Sequence, residues 1–182
     1  VFFYNWDYYN QNLNEIWHVW NGGMSFHGGA LGVVLGGLFF SLKNRLPVLS
    51  VGDAIAAATP FGLLFGRLAN FINGELWGRP STVEWAMVFP DPRAQVCPEG
   101  WLTICSRHPS QLYEAALEGL VLLLVMTWVI WRKGGLKAPG RMIGIFMMGY
   151  GISRFIVEFY READEQFVSE SNPFGYVFQL SE

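Results

Sequence analysis

The stretch GRLANFINGELWGRPS, Gly66–Ser81, starts apolar and ends densely polar. Phe61–Phe65 ahead of it closes a long hydrophobic run, and the next helical turns bring Arg67, Asn70, Asn73 and Glu75, then Gly78 and Arg79. If the run crosses a membrane, Arg67 sits at or just below the surface. An ionisable group at that depth costs about 2.5–3.5 kcal/mol on insertion scales and by default marks a functional site. A snorkelling helix end is the alternative for Arg67 taken alone, since long cationic side chains reach the interface easily. The clustering of Asn70, Asn73 and Glu75 favours a site.

The composition around this stretch is that of a membrane protein. Of 182 residues, 52% are hydrophobic and only 15% charged, with the apolar residues gathered into runs. A net charge of -3 does not suggest nucleic-acid binding, so no nucleic-acid partner is expected. Residues 1–20 are aromatic, with Asp7 and Glu15 but neither Lys nor Arg. They suit an interfacial segment or the end of a span cut off upstream. The opening VFFYNWDYYNQN has neither the Met nor the basic n-region and short apolar core of a signal peptide. The chain is therefore expected to be an internal fragment, with residues 1–182 forming one integral membrane domain.

Four apolar runs predict an all-α, polytopic membrane helix bundle with four transmembrane helices. Met24–Leu42, about 19 residues or roughly 28 Å of helix, matches the hydrocarbon thickness. Gly28, Gly32 and Gly36 recur at every fourth position in it, a face that admits a close helix partner. Ala54–Asn73 contains Pro60, tolerated in membrane helices where neighbours satisfy the freed carbonyl. Leu112–Trp131 carries Glu114 and Glu118 in its first turns, and Met142–Phe159 closes with Arg154, Glu158 and Arg161. Between the second and third runs, Glu75–His108 is too polar for lipid and long enough to be a functional loop.

Alternating spans place the polar residues on one membrane side: His27 opens the first, Arg67 to Glu75 close the second, Glu114 and Glu118 open the third, and Arg154 to Arg161 close the fourth. The opposite side carries Lys43 and Arg45 in one loop and Arg132, Lys133, Lys137 and Arg141 in the other, with no acid in either. The positive-inside rule makes that side cytoplasmic, so Glu75–His108 and the polar cluster are expected to face the extracytoplasmic leaflet.

In the fourth span Tyr150, Arg154, Glu158 and Arg161 follow helical spacing and form one stripe. An internal Arg154–Glu158 ion pair is the simplest reading. Joined by Arg67 and Arg161, it becomes a patch suited to a phosphate, which guanidinium groups bind with paired, charge-assisted hydrogen bonds. A lipid phosphate is the nearest candidate. His27 is either a hydrogen-bonded helix-start residue or, from its polar position beside Gly28 and Gly29, a catalyst. Cys97 and Cys105 lie in the outer loop, where an oxidising compartment permits a disulfide that spacing alone does not establish. Neither a metal-ligand pattern nor a Ser-His-Asp or phosphate-loop signature occurs. No metal and no cofactor are expected.

Taken together, GRLANFINGELWG (Gly66–Gly78), FHGGALG (Phe26–Gly32), RHPSQLYEA (Arg107–Ala115) and GYGISRFIVEFYR (Gly149–Arg161) resemble the prolipoprotein diacylglyceryl transferases of the bacterial inner membrane. The resemblance runs in order over nearly the whole chain. It implies a seven-helix multi-pass protein of which this chain lacks helices at both ends. It also implies transfer of the diacylglyceryl group of phosphatidylglycerol to the lipobox cysteine thiol of a preprolipoprotein signal peptide, forming a thioether and releasing glycerol phosphate. Both substrates arrive from the membrane, among its lipids. Carried over by motif, Arg67 and Arg154 bind the phosphate and stabilise its developing charge, with Asn70, Asn73, Glu75, Gly78, Glu158 and Arg161 completing the phosphatidylglycerol site. His27 or Tyr150 takes the thiol proton. A transporter or a non-catalytic lipid-binding membrane protein is the alternative. The former needs a polar path through both leaflets, and the cytoplasmic halves here are apolar.

Overall fold

The computed structural model describes residues 26–97 and 104–162. Its contacts fall into two groups, residues 1–52 and 53–182. In the first, α1 (Phe26–Lys43) is predominantly apolar and carries no charged residue before Lys43 in its last turn, apart from the titratable His27. Its C-terminal carbonyls are satisfied locally: Asn44 Nδ2 donates to Phe40 O at 2.8 Å, and Leu46 N to Ser41 O at 2.9 Å across a left-handed Arg45. Pro47 then precedes α2 (Val48–Asn73), whose 26 residues span about 39 Å.

Helix α2 starts six residues before the expected Ala54 (54 minus 48), because Asp53 does not end it. An acid beside an apolar run reads as a boundary, yet Asp53 is buried and has a tertiary role. Its Oδ2 accepts from Gly140 N at 2.8 Å and its Oδ1 from Ile143 N at 3.0 Å. Those N–H groups open α4 (Arg141–Glu158), whose own N-cap, Gly140, has no side chain to offer. Asp53 therefore caps a helix to which it does not belong. The far end of α2 closes on Gly74, with Glu75 N donating to Asn70 O at 3.0 Å.

Helix α3 runs over Ser110–Lys133 and widens to π-helical geometry through Ala115–Val121. Gly119 sits on that wide turn against the α2 backbone. A Cβ there would lie 2.7 Å from both Cα and Cβ of Leu64, so a side chain would force α2 and α3 apart. Below this contact Ala56, Leu122, Met126 and Met142 form the buried apolar cluster, with Phe146 and Tyr150 of α4 packed against it.

The stretch expected as an extracytoplasmic loop carries short extended pairings. Met87–Val88 (β1) pairs antiparallel with Ser106–Arg107 (β2). Residues 78–81 run between two neighbours. Gly78 N donates to His108 O, His108 N to Arg79 O and Ser81 N to Ser106 O on one side, while Gly78 bridges Arg161 and Arg79 N donates to Tyr160 O on the other.

Among the described residues two helices, α2 and α3, are long and apolar enough to cross a membrane. The other two expected spans fall short of that description. The described apolar part of α1, Gly28–Lys43, is shorter, and α4 has 18 residues that include Arg141, Arg154 and Glu158.

Candidate functional site

The helices α2, α3 and α4 converge at Glu114, in the turn of α3 just before the π-helical segment. Its side chain is 1% exposed and meets three arginines. Arg67 Nε of α2 lies 2.9 Å from Oε2, close contact without hydrogen-bond alignment. Arg154 Nη1 of α4 lies 3.3 Å from Oε1, and Arg161 Nε, just past the end of α4, lies 3.8 Å from it. Arg154 also reaches Glu158 through Nη2 at 2.8 Å, so the expected intrahelical ion pair exists within a larger network. A buried carboxylate is stable only when paired and hydrogen-bonded. Here the partners come from separate helices, so the carboxylate holds the guanidinium groups together.

Arg67 and Arg154 remain 19% and 29% exposed at their side chains. A guanidinium carries five N–H donors, and the described contact of Arg67 involves Nε alone. Among the described residues its terminal donors make no further contact. One turn deeper, Glu118 is 0% exposed and both its oxygens lack a hydrogen-bond partner among the described residues. Tyr150, stacked on Phe146 at 5.7 Å, is partly buried within electrostatic range of Glu118, Arg154, Arg67 and Glu114.

The remaining residues expected at the site are placed differently. Arg161 is not on the α4 stripe, because the helix ends at Glu158 and the chain then pairs with Gly78. It reaches Glu114 from that extended segment. Asn73 and Glu75 are exposed, and their described side-chain contact is with each other at 3.2 Å. Asn70 caps the end of α2 through its carbonyl. Gly78, expected to bind substrate, is buried where a Cβ would lie 2.5 Å from Tyr160 O and 2.7 Å from His108 O. Only glycine lets those segments close. His27 falls in the first turn of α1, and its side chain lies outside the described residues.

Sequence reasoning missed the support behind the arginines. Arg107 is 2% exposed and donates from Nε to Ala94 O at 2.7 Å and from Nη2 to Val96 O at 2.9 Å. Its Nη1 reaches Gly78 O at 3.3 Å and the carboxylate of Glu162, which also accepts from Trp77 Nε1. With Arg79 Nε donating to Arg161 O at 2.8 Å, the segment between α2 and α3 is latched to the residues that follow α4. His108, whose pKa burial pushes down, meets Tyr113 Oη at 3.1 Å through Nδ1, and Trp85 Nε1 donates to the same hydroxyl. The available signal was RHPSQLYEA itself: Arg107, His108, Tyr113 and Glu114 all lie in it.

The sequence profile of the prolipoprotein diacylglyceryl transferase family matches residues 1–179. A phosphatidylglycerol–prolipoprotein diacylglyceryl transferase of Ruegeria pomeroyi is 56% identical over 182 residues, all of this chain and 61% of the relative. Those of Roseobacter denitrificans and Sinorhizobium medicae are 51% identical over 181 residues and 55% over 148, covering 61% and 49% of their lengths. This chain thus spans less than two thirds of the curated relatives it matches. With all four motifs in order and a match along nearly its entire length, the chain belongs to the prolipoprotein diacylglyceryl transferase family.

Proposed function

We propose that the protein to which this chain belongs transfers the diacylglyceryl group of phosphatidylglycerol to the lipobox cysteine of a preprolipoprotein. One observation carries the reading: one buried carboxylate, Glu114, draws Arg67 and Arg154 together while leaving Arg67, at a partly exposed position, with N–H donors unengaged among the described residues. Such a pair suits the phosphate of a lipid headgroup.

The transfer makes a bond between the thiol sulfur and the glyceryl carbon, and breaks the bond from that carbon to the phosphate oxygen. Negative charge grows on the leaving glycerol phosphate. Fixed guanidinium groups stabilise developing charge most effectively where water is scarce. Arg67 and Arg154 occupy that role, and Glu114 and Glu158 hold their orientation. A free thiol is only a few per cent ionised near neutral pH, so a proton acceptor is also needed. His27 and Tyr150 are the two candidates. Asn70, Asn73 and Glu75 sit at the mouth of α2, where they would meet the glycerol headgroup rather than its phosphate.

The same reading extends to architecture. Four spans of a seven-helix bundle lie in the bacterial inner membrane as one integral membrane domain, with Glu75–His108 and the arginines toward the extracytoplasmic leaflet. The basic loops at Lys43–Arg45 and Arg132–Arg141 support this orientation. Supplying phosphatidylglycerol and a lipobox peptide to the full-length protein should yield the diacylglyceryl thioether. Solute uptake without any thioether would instead indicate a transporter.

A further inference from the structure

Outside the arginine cluster the chain carries a pair of thiols in one small framework. Cys105 is 0% exposed and Cys97 half-buried, and both are free. Each thiol donates toward one of two adjacent carbonyls, Cys97 Sγ to Gln95 O at 3.6 Å and Cys105 Sγ to Val96 O at 3.9 Å. Both thiols thus turn toward consecutive carbonyls of the one segment, Gln95–Val96, that leads into Cys97.

The backbone on both sides is already fixed. The Gln95 side chain accepts from Cys105 N at 3.4 Å and donates to Phe89 O at 2.7 Å. Arg107, two residues beyond Cys105, holds the carbonyls of Ala94 and Val96. A bond between the sulfurs would join segments that are already adjacent.

We infer that Cys97 and Cys105 are a dithiol/disulfide couple that is closed in the working protein, fastening from outside the two segments that Arg107 fastens from within. The inference rests on the extracytoplasmic placement of this loop proposed above, because disulfides persist in oxidising compartments. Closure is a thiol–disulfide exchange with a disulfide-bearing oxidant. The thiolate of Cys97, the more accessible residue, attacks one oxidant sulfur and expels the other as a thiol. Cys105 then attacks the Cys97 sulfur and releases the second oxidant thiol. Two protein thiols lose two electrons and two protons, and one oxidant disulfide is reduced. Burial, followed by hydrogen bonding to Cys97, pushes the Cys105 thiol up to about 11. The reduced pair therefore gains no stabilised thiolate of the kind that makes a disulfide strongly oxidising.

The sequence supplies a clean readout, since trypsin cutting after Arg93 and Arg107 releases both cysteines in one peptide, Ala94–Arg107. Full-length protein taken from membranes with acid quenching, then unfolded and alkylated with N-ethylmaleimide, should give this peptide unalkylated and lighter by a pair of hydrogen atoms. Reduced, purified protein incubated with oxidised glutathione should reach the same state. If the peptide from membranes is doubly alkylated but glutathione closes it in vitro, the pairing stands and the extracytoplasmic placement is overturned. A peptide that stays doubly alkylated after glutathione, or stops at a glutathione adduct on Cys97, overturns the pairing on either side of the membrane.

Discussion

Asp53 and Glu114 are each 1% exposed, and each holds α4, the first at its N-terminus and the second toward its C-terminus. Asp53 is matched by two backbone N–H groups at 2.8 and 3.0 Å, donors that the opening turn of a helix must satisfy somewhere. Those partners have no further donor to offer, so the contact ends there. Glu114 is matched by guanidinium groups from α2, from α4 and from the segment after α4. A guanidinium in contact with one carboxylate still carries donors for a second anion. Equal burial thus accompanies two roles, and what separates them is whether the partner keeps capacity for a ligand.

The largest effect should come from the partners of Glu114. In the full-length protein, Arg154→Lys and Arg67→Lys should each lower kcat by about 10²–10³-fold, because lysine keeps the charge but loses the planar fork. Steady-state thioether formation measures this, and near wild-type rates in both variants would leave the guanidinium groups without a role in phosphate stabilisation. Glu114→Gln should follow with about a 10²-fold loss, since it frees the guanidinium groups it orients and small misplacements are costly. If Glu114→Gln were as active as wild type, the arginines would be positioned by something else.

Asp53→Asn should reverse the pattern. It weakens the cap of α4, and a loss of about 1–2 kcal/mol of stability is expected from the impaired bonds to Gly140 and Ile143. Thermal unfolding should register the loss while kcat and KM stay near wild type. A smaller effect belongs to His108. Burial lowers its pKa from the ordinary 6.5, so below that value the unfolded chain binds more protons than the folded one. Its contribution is intact above pH 6.5 and declines as pH falls through the lower, folded-state pKa. The melting temperature should therefore fall on acidification, and His108→Gln should flatten that slope.

The contrast between the two carboxylates also marks what the sequence could convey. Apolar runs marked where α1 to α4 lie, because hydrophobic run length is a local property, but among the described residues only α2 and α3 are long and apolar enough to cross a membrane. Asp53 was hidden by the same logic: a charge at the edge of an apolar run signals a boundary, whereas its partners Gly140 and Ile143 lie far along the chain. Arg67, Arg154 and Glu158 stood out as ionisable groups in apolar surroundings, whereas Glu114 was noted only as an acid opening the third run and was not among the residues expected at the site. Its place as the shared partner depends on three segments meeting, which no spacing encodes. Arg161 was legible by helical period, but the pairing with Gly78 takes it off the helix before that period applies. The Arg107 latch was invisible for a further reason. An arginine in a polar loop is ordinarily exposed, and only the carbonyls of Ala94, Val96 and Gly78 around it make burial tolerable.

The most direct test of the arginine pair as a lipid-phosphate site is equilibrium binding of a short-chain fluorescent phosphatidylglycerol to the full-length protein in detergent. Wild type, Arg67→Lys and Asp53→Asn should be compared at one ionic strength. A hydrogen bond to a charged group contributes about 1.5–3 kcal/mol, so Arg67→Lys should weaken binding about tenfold or more while Asp53→Asn leaves it unchanged. Equal affinity in Arg67→Lys and wild type, or a loss in Asp53→Asn as large as that in Arg67→Lys, would contradict the assignment of the phosphate to the Glu114-centred arginines.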